Sequence, residues 1–406
     1  MKSTRASIAT LLVGTAVLFL GYGLLITLLP LRAKLEAFST AMIGAMGGAY
    51  FAGFAVGCVI GPWVVKKVGH IRTFAGFAAI AAVLVLLLPM AIEPALWAGI
   101  RGLNGICFAI LFMVIESWLN DQSSNEIRGR VLSIYIIVTN LVTMGGQLMV
   151  NLSDPAGPVL FTFAAMLVCL SLVPLSLTPT STPKPIATAK LRITKLYQTS
   201  PSGFVGCLAF GLADGAFWSL APVFADAKGL PVADITFVMS LFVVGGSISQ
   251  WPLGHYSDKV DRRWVIAFVC AGSVCTASAL AFLDLDDRWL AYALACAHGA
   301  FMLPIYPLLV AHTNDYAPNS LLVETSSGLL LLYAVGAMAG PSAAAALMQA
   351  YGDGSLFLFI AAVLAILLVY ILFRLGRREI AKAEERVEFY PVPKTSPSVY
   401  SLETDD

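Results

Sequence analysis

The chain has 406 residues, 58% of them hydrophobic and only 12% charged, with a mean hydropathy of +0.83. That composition excludes an ordinary soluble domain, and a net charge of +1 gives no overall bias toward nucleic acid or an acidic partner. Seven cysteines, an odd number scattered through apolar runs without CxxC spacing, read as packing residues, not as disulfides or metal ligands.

In chain order, apolar runs near 7–31, 41–65, 71–91, 95–119, 131–152, 157–177, 203–224, 234–256, 263–283, 288–311, 322–350 and 354–373 predict twelve transmembrane helices. At about 1.5 Å per residue each can cross a hydrocarbon core of about 30 Å while satisfying its own backbone. The first run follows Lys2 and Arg5 and is too long for a signal-peptide core. If the N-terminus is cytoplasmic, all of the 25 Lys and Arg residues except Arg32, Lys34, Arg101, Lys228 and Arg288 fall on the cytoplasmic side, which predicts both termini inside. A polar segment rich in Pro, Ser, Thr and Lys divides the chain into a six-helix bundle over 1–177, a cytoplasmic linker over 178–202 and a second bundle over 203–373. A cytoplasmic tail, 374–406, is expected to be partly disordered.

Sliding the second half over the first by 192 residues aligns Pro30 with Pro222, Gly23 with Gly215, Gly53 with Gly245 and Trp97 with Trp289, with no gap required. Two like-oriented copies imply an all-α fold of two pseudo-symmetric six-helix bundles with a path between them.

The densest charge cluster is GHYSDKVDRR, 254–263. It resembles the loop signature G-x-x-x-D-[RK]-x-G-[RK]-[RK] of the major facilitator superfamily, matched at Gly254, Asp258, Lys259, Arg262 and Arg263. RGLNGICFA, 101–109, resembles that superfamily's R-x-x-Q-G pattern with Asn104 for Gln, and IRGR, with Arg128 and Arg130, resembles its loop between helices four and five. VIESWLNDQSSNEIRGRVLSIY, SQWPLG and GAMAGP look like the YcaD-type branch of bacterial carriers. The resemblance implies secondary transport across the bacterial cytoplasmic (inner) membrane. An exporter-type G-P-x-x-G-G is missing from span five, which has TMGGQL instead.

An acid at the inner end of span eight is repelled by its own helix dipole. Asp258 is therefore expected to find a cation or another helix N-terminus, span eleven being the family's analogue, with Gly254 allowing close helix approach. The first-half loop has Lys66 in the matching position, so an ion pair of Lys66 with Glu116 or Glu126 is expected there. Together these residues make a cytoplasmic gate.

Ionisable groups within spans are costly, by roughly 2.5–3.5 kcal/mol on insertion scales, so each is a functional candidate. Asp214, in mid-span seven, is the candidate proton-coupling carboxylate, with Arg101 as its counterpart across a cavity; Asn104 and His298 join this set. Tyr22, Asn140, Gln147, Trp218 and Tyr306 are candidate cavity residues. Each has a bland alternative in helix packing, and Asp214 can equally bridge two helices. The expectation is a proton-coupled carrier of a small-molecule substrate embedded in a lipid bilayer, acting as a monomer without cofactor or nucleic acid, with drug or metabolite efflux favoured. An uptake permease for a sugar or organic acid and a non-transporting sensor or scaffold remain open. No nucleophile–base pair, metal cluster or phosphate-binding G-x-x-x-x-G-K-[ST] supports an enzyme or an ATP-driven pump.

Overall fold

The computed structural model describes residues 2–123, 125–177, 192–283, 287–318 and 321–377, together with Phe389 and Lys394. Among the described residues, twelve helices are long and apolar enough to cross a membrane: α1 Ser7–Leu35, α2 Thr40–Val68, α3 His70–Met90, α4 Pro94–Asp121, α5 Gly129–Leu152, α6 Val159–Ser176, α7 Pro201–Ala227, α8 Val232–Lys259, α9 Arg262–Phe282, α10 Arg288–Asn314, α11 Glu324–Tyr351 and α12 Ser355–Leu375. Their number is even, so α1 begins and α12 ends on the same side, here called the terminal side. Most of the predicted linker and of the tail lies outside the described residues.

Local signals set the helix ends. The Ser39 hydroxyl accepts from the Met42 amide to open α2, and the Asp261 and Asp287 carboxylates accept from Arg263 and Trp289 to open α9 and α10. Gly69, at φ +90°, separates α2 from α3 in a left-handed conformation that a side chain would resist. Helix α10 is interrupted at Leu303–Pro304, a break that the hydropathy does not reveal. Large apolar side chains such as Val83, Ile137, Phe268, Ile366 and Val369 remain exposed, as contact with lipid tails requires.

Within each half the repeat is built from the same backbone clasps. Gly53 of α2 lies against the Gly102 carbonyl of α4, and Gly245 of α8 lies against the Cys296 carbonyl of α10. Likewise Gly23 of α1 meets Thr143 of α5, and Gly215 of α7 meets Ala337 of α11. A methyl group at any of these four sites would collide with main chain, which cannot swing aside. We expect Gly53→Ala or Gly245→Ala to cost about 1–3 kcal/mol and to lower the thermal unfolding temperature in detergent. Gly76→Ala, with open space around its Cβ, should be neutral or stabilising.

These clasps also correct the alignment. The offset of 192 relates α2 to α8 and α3 to α9, but Gly102 matches Cys296 and Thr143 matches Ala337 only if two residues are added before α10. Trp97 is fully buried, its indole N–H donating to the carbonyls of Leu88 and Ala91 at 3.0 Å, whereas Trp289 is 69% exposed. The true counterpart of Trp97 is buried Ala291. A gapless alignment follows the tryptophan identity and misses two residues added in the polar α9–α10 turn.

Candidate functional site

The two halves meet along a seam on the side away from the termini. Near the start of α2, Gly44 and Gly47 press against Pro341 of α11, and Gly47 also meets Ser219 of α7. At the same level Asn151, in the last turn of α5, donates to the Thr236 hydroxyl of α8 at 2.7 Å. Nearer mid-depth Asn140 donates to Ser247 at 2.9 Å. The small side chains let the helices close there. Below the seam lies a cavity of about 210 Å³, adjoined through Asn140 and Gln250 by a second space of about 500 Å³ that reaches Asp258 near the terminal side.

Asp214 lines the central cavity from the middle of α7, with a fully buried carboxylate. The Tyr333 hydroxyl of α11 donates to its Oδ2 at 2.8 Å, and the Lys394 ammonium sits 2.8 Å from its Oδ1. On the opposite wall Arg101 of α4 holds its guanidinium 4.3 Å from the centre of the Tyr50 ring. Tyr22, the repeat counterpart of Asp214, lies within electrostatic reach of both Arg101 and Asp214. It packs edge-on to Phe112. Trp218 and Asn140 also line the cavity.

The other candidates go elsewhere. Asn104 and His298, equivalent once the two added residues are counted, are both fully buried and outside the cavity lining. His298 places Nδ1 2.9 Å from the Thr276 hydroxyl, among the rings of Phe217, Phe242 and Phe357. Asn104 and Gln147 keep both amide atoms without hydrogen-bond partners among the described residues. Tyr306 lies behind Tyr333 and Phe210, again outside the lining. Sequence reasoning missed Tyr50, Tyr333 and Lys394. The two tyrosines, hydroxyl groups deep in apolar spans, carried a usable signal; Lys394, in a polar tail, carried none.

At the terminal side the charge cluster is a clasp of four helix ends, those of α8, α9, α10 and α12. Arg262 pairs through Nη2 with Asp258 and through Nε with Asp315, each at 2.8 Å, and donates to Ser257 at 3.2 Å. Arg263 embraces Asp261 at 2.7–3.1 Å and donates to the Arg374 carbonyl at the end of α12. Burial raises the Asp261 carboxyl, but the Arg263 hydrogen bonds and charge prevail and hold it below the usual carboxylate range. Lys259 is exposed. Asp258 therefore does not cap α11; its partners are Arg262 and the main-chain N–H of Phe389, 3.1 Å from Oδ1. Gly254 makes room for the Phe389 ring, not for another helix.

The expected pairing of Lys66 with Glu116 is not formed. Lys66 is exposed on the terminal end of α2 and takes part in none of the ion pairs among the described residues. Glu116 is buried and accepts from the Tyr135 hydroxyl at 2.8 Å. The physical reason is direction: the α4 face carrying Glu116 turns inward, beyond reach of a solvated lysine. The side chains of Glu126 and Arg128 lie outside the described residues, and Arg130 is exposed. Lys66→Gln should accordingly change thermal stability by less than about 0.5 kcal/mol, whereas Tyr135→Phe should cost about 1–3 kcal/mol by removing a donor from a buried carboxylate.

The family model described as Major Facilitator Superfamily matches residues 11–286 and 203–400. This chain belongs to the major facilitator superfamily. Among its relatives, the uncharacterized MFS-type transporter YcaD of Escherichia coli O6:K15:H31 is 31% identical over 383 residues, covering 93% of this chain and 98% of that protein. The YcaD of Escherichia coli O45:K1 is 30% identical over 382 residues with the same coverage. Of solved structures, the nucleoside transporter NupG superposes with a TM-score of 0.76 at 12% identity, covering 92% of this chain and 100% of that one. A bacterial homolog of the human lysosomal transporter Spinster, in an inward-facing and unoccupied conformation, gives 0.72 at 13% identity and 98% coverage of each. At such identities the structural likeness carries the superfamily fold alone.

Proposed function

We propose that this superfamily transporter is a secondary carrier that moves a small organic solute by alternating access, coupled to protons through Asp214, with efflux favoured over uptake. The observation that carries the reading is the fully buried Asp214 carboxylate in a cavity between two six-helix repeats. A carboxylate there is costly to bury, so the groups offered to it decide how readily each conformation is adopted. Those groups come from three places: the Tyr333 hydroxyl, the Lys394 ammonium, and the Arg101–Tyr22–Tyr50 wall opposite. A proton on Asp214 removes the need for a cation and frees the site for the next step.

The seam of small residues and the spaces leading toward the terminal side support one state of an alternating cycle, with residues 1–177 and 203–373 as the moving units. The distribution of Lys and Arg supports an orientation with the terminal side cytoplasmic. In this reading the carrier works as a monomer in the inner membrane of a bacterium. Counterflow in proteoliposomes tests the function. A preloaded solute should exchange with external label, and an inside-acid or inside-alkaline jump should alter its net flux. Binding without exchange would make the protein a sensor and end the carrier reading.

A further inference from the structure

The cavity already holds a ligand-like group, and it comes from this chain. Lys394 reaches the buried Asp214 carboxylate at 2.8 Å, while its Nζ lies 4.8 Å from the centre of the Phe210 ring and 5.8 Å from that of Tyr333. An acid below and two aromatic faces beside is the arrangement that recognises an ammonium group: a charge-assisted hydrogen bond with cation–π contacts inside about 6 Å. Arg101, the other cation in the cavity lining, stacks on Tyr50 instead.

A second, independent contact fixes the same tail at the mouth. The Phe389 amide donates to both oxygens of Asp258, at 3.1 and 3.3 Å, and its ring fills the space above Gly254, where a Cβ would not fit. Phe389 lines the outer space and Lys394 the central cavity. Five positions separate the two contacts in the sequence, a length that spans at most about 17 Å. The pattern is an anchor at the gate and a cation at the bottom.

We propose that Asp214, Phe210 and Tyr333 form a receptor for a primary or secondary alkylammonium group, and that Lys394 occupies it as a tethered competitor which a cationic solute must displace. The proposal deepens the carrier reading by naming the substrate class of its central site and a form of self-inhibition. Tethering raises the local concentration of the lysine to the millimolar range, so a free amine faces competition that no dilution removes. Asp258 and Gly254 then have a further role, as the seat of the tail's anchor.

The test is binding of hexylammonium to the purified full-length protein in detergent, followed by isothermal titration calorimetry. Lys394→Met, a change confined to the tail, should bind hexylammonium about tenfold or more tighter than the unaltered protein. Lys394→Arg, which keeps the cation, should fall much closer to the unaltered protein. Phe389→Ala should give a smaller gain, and 1-hexanol, the same chain without charge, should show no gain in any variant. Equal hexylammonium affinity in the unaltered protein and Lys394→Met, or a gain shared by 1-hexanol, would overturn the proposal. No gradient or flux enters this measurement. A protein that binds amines competitively but fails to exchange solute would refute the carrier reading alone, while equal affinities would refute this one alone.

Discussion

Asp214→Asn should lower gradient-driven transport in proteoliposomes by at least tenfold while leaving the folded yield intact. Asparagine is nearly isosteric and its carbonyl can still accept from the Tyr333 hydroxyl, so the α7–α11 contact survives. The change removes the negative charge and the proton-accepting oxygen. A hydrogen bond to a charged group contributes about 1.5–3 kcal/mol, equivalent to a factor of about 10–150 in an equilibrium constant. Lys394, on the tail, can withdraw to water and leaves no stranded buried cation. The decisive readout is comparison of counterflow with gradient-driven flux: the variant should retain exchange better than accumulation. Unchanged accumulation under a pH gradient would remove Asp214 from the coupling mechanism.

Arg262→Met should be the most damaging change to stability among the charged residues of the gate. Its guanidinium is 2% exposed and joins the end of α8 to the end of α10 through Asp258, Ser257 and Asp315. Methionine preserves much of the volume but takes a counter-ion from the Asp315 side chain, itself only 4% exposed. Breaking a buried pair by removing one partner costs about 3–5 kcal/mol, because the remaining charge stays desolvated. Thermal unfolding in detergent should fall by several degrees. Adding Asp315→Asn to Arg262→Met should recover part of the loss, since it removes the charge left behind. An unfolding temperature unaffected by the single substitution would show that the clasp contributes nothing to the folded state.

The architecture was legible because apolar length is a one-dimensional property: every one of the twelve predicted runs overlaps a helix of the structure. The repeat was legible through its glycines, since only backbone contact makes Gly23 and Gly215 play one part and Gly53 and Gly245 another. The site was legible only in part. Asp214, Arg101, Tyr22, Asn140 and Trp218 do share a cavity, while Asn104, Gln147, His298 and Tyr306 do not. A polar residue within a span announces its cost but not its azimuth, and azimuth decides between cavity and helix interface. Asp258 was read with the right need and the wrong partner, because the Phe389 amide that helps satisfy it lies 131 residues away. The tail escaped notice for a related reason. PVPKTSPSVY has no apolar periodicity, and a single lysine gains meaning only beside the acid it meets.

The seam between the halves has an electrical consequence. Its hydrogen bonds, Asn140 to Ser247, Asn151 to Thr236 and Ser240 to the Met144 carbonyl, join neutral groups. Among the described residues, no ion pair links the first six helices to the last six. Each elementary charge carried across a potential of 100 mV is worth about 2.3 kcal/mol. These amides and hydroxyls part without moving any such charge, so the membrane voltage has no handle on the hydrogen bonds of the seam. What voltage can act upon is the load: the acid at the centre, the arginine opposite, and whichever cation has taken its place between them.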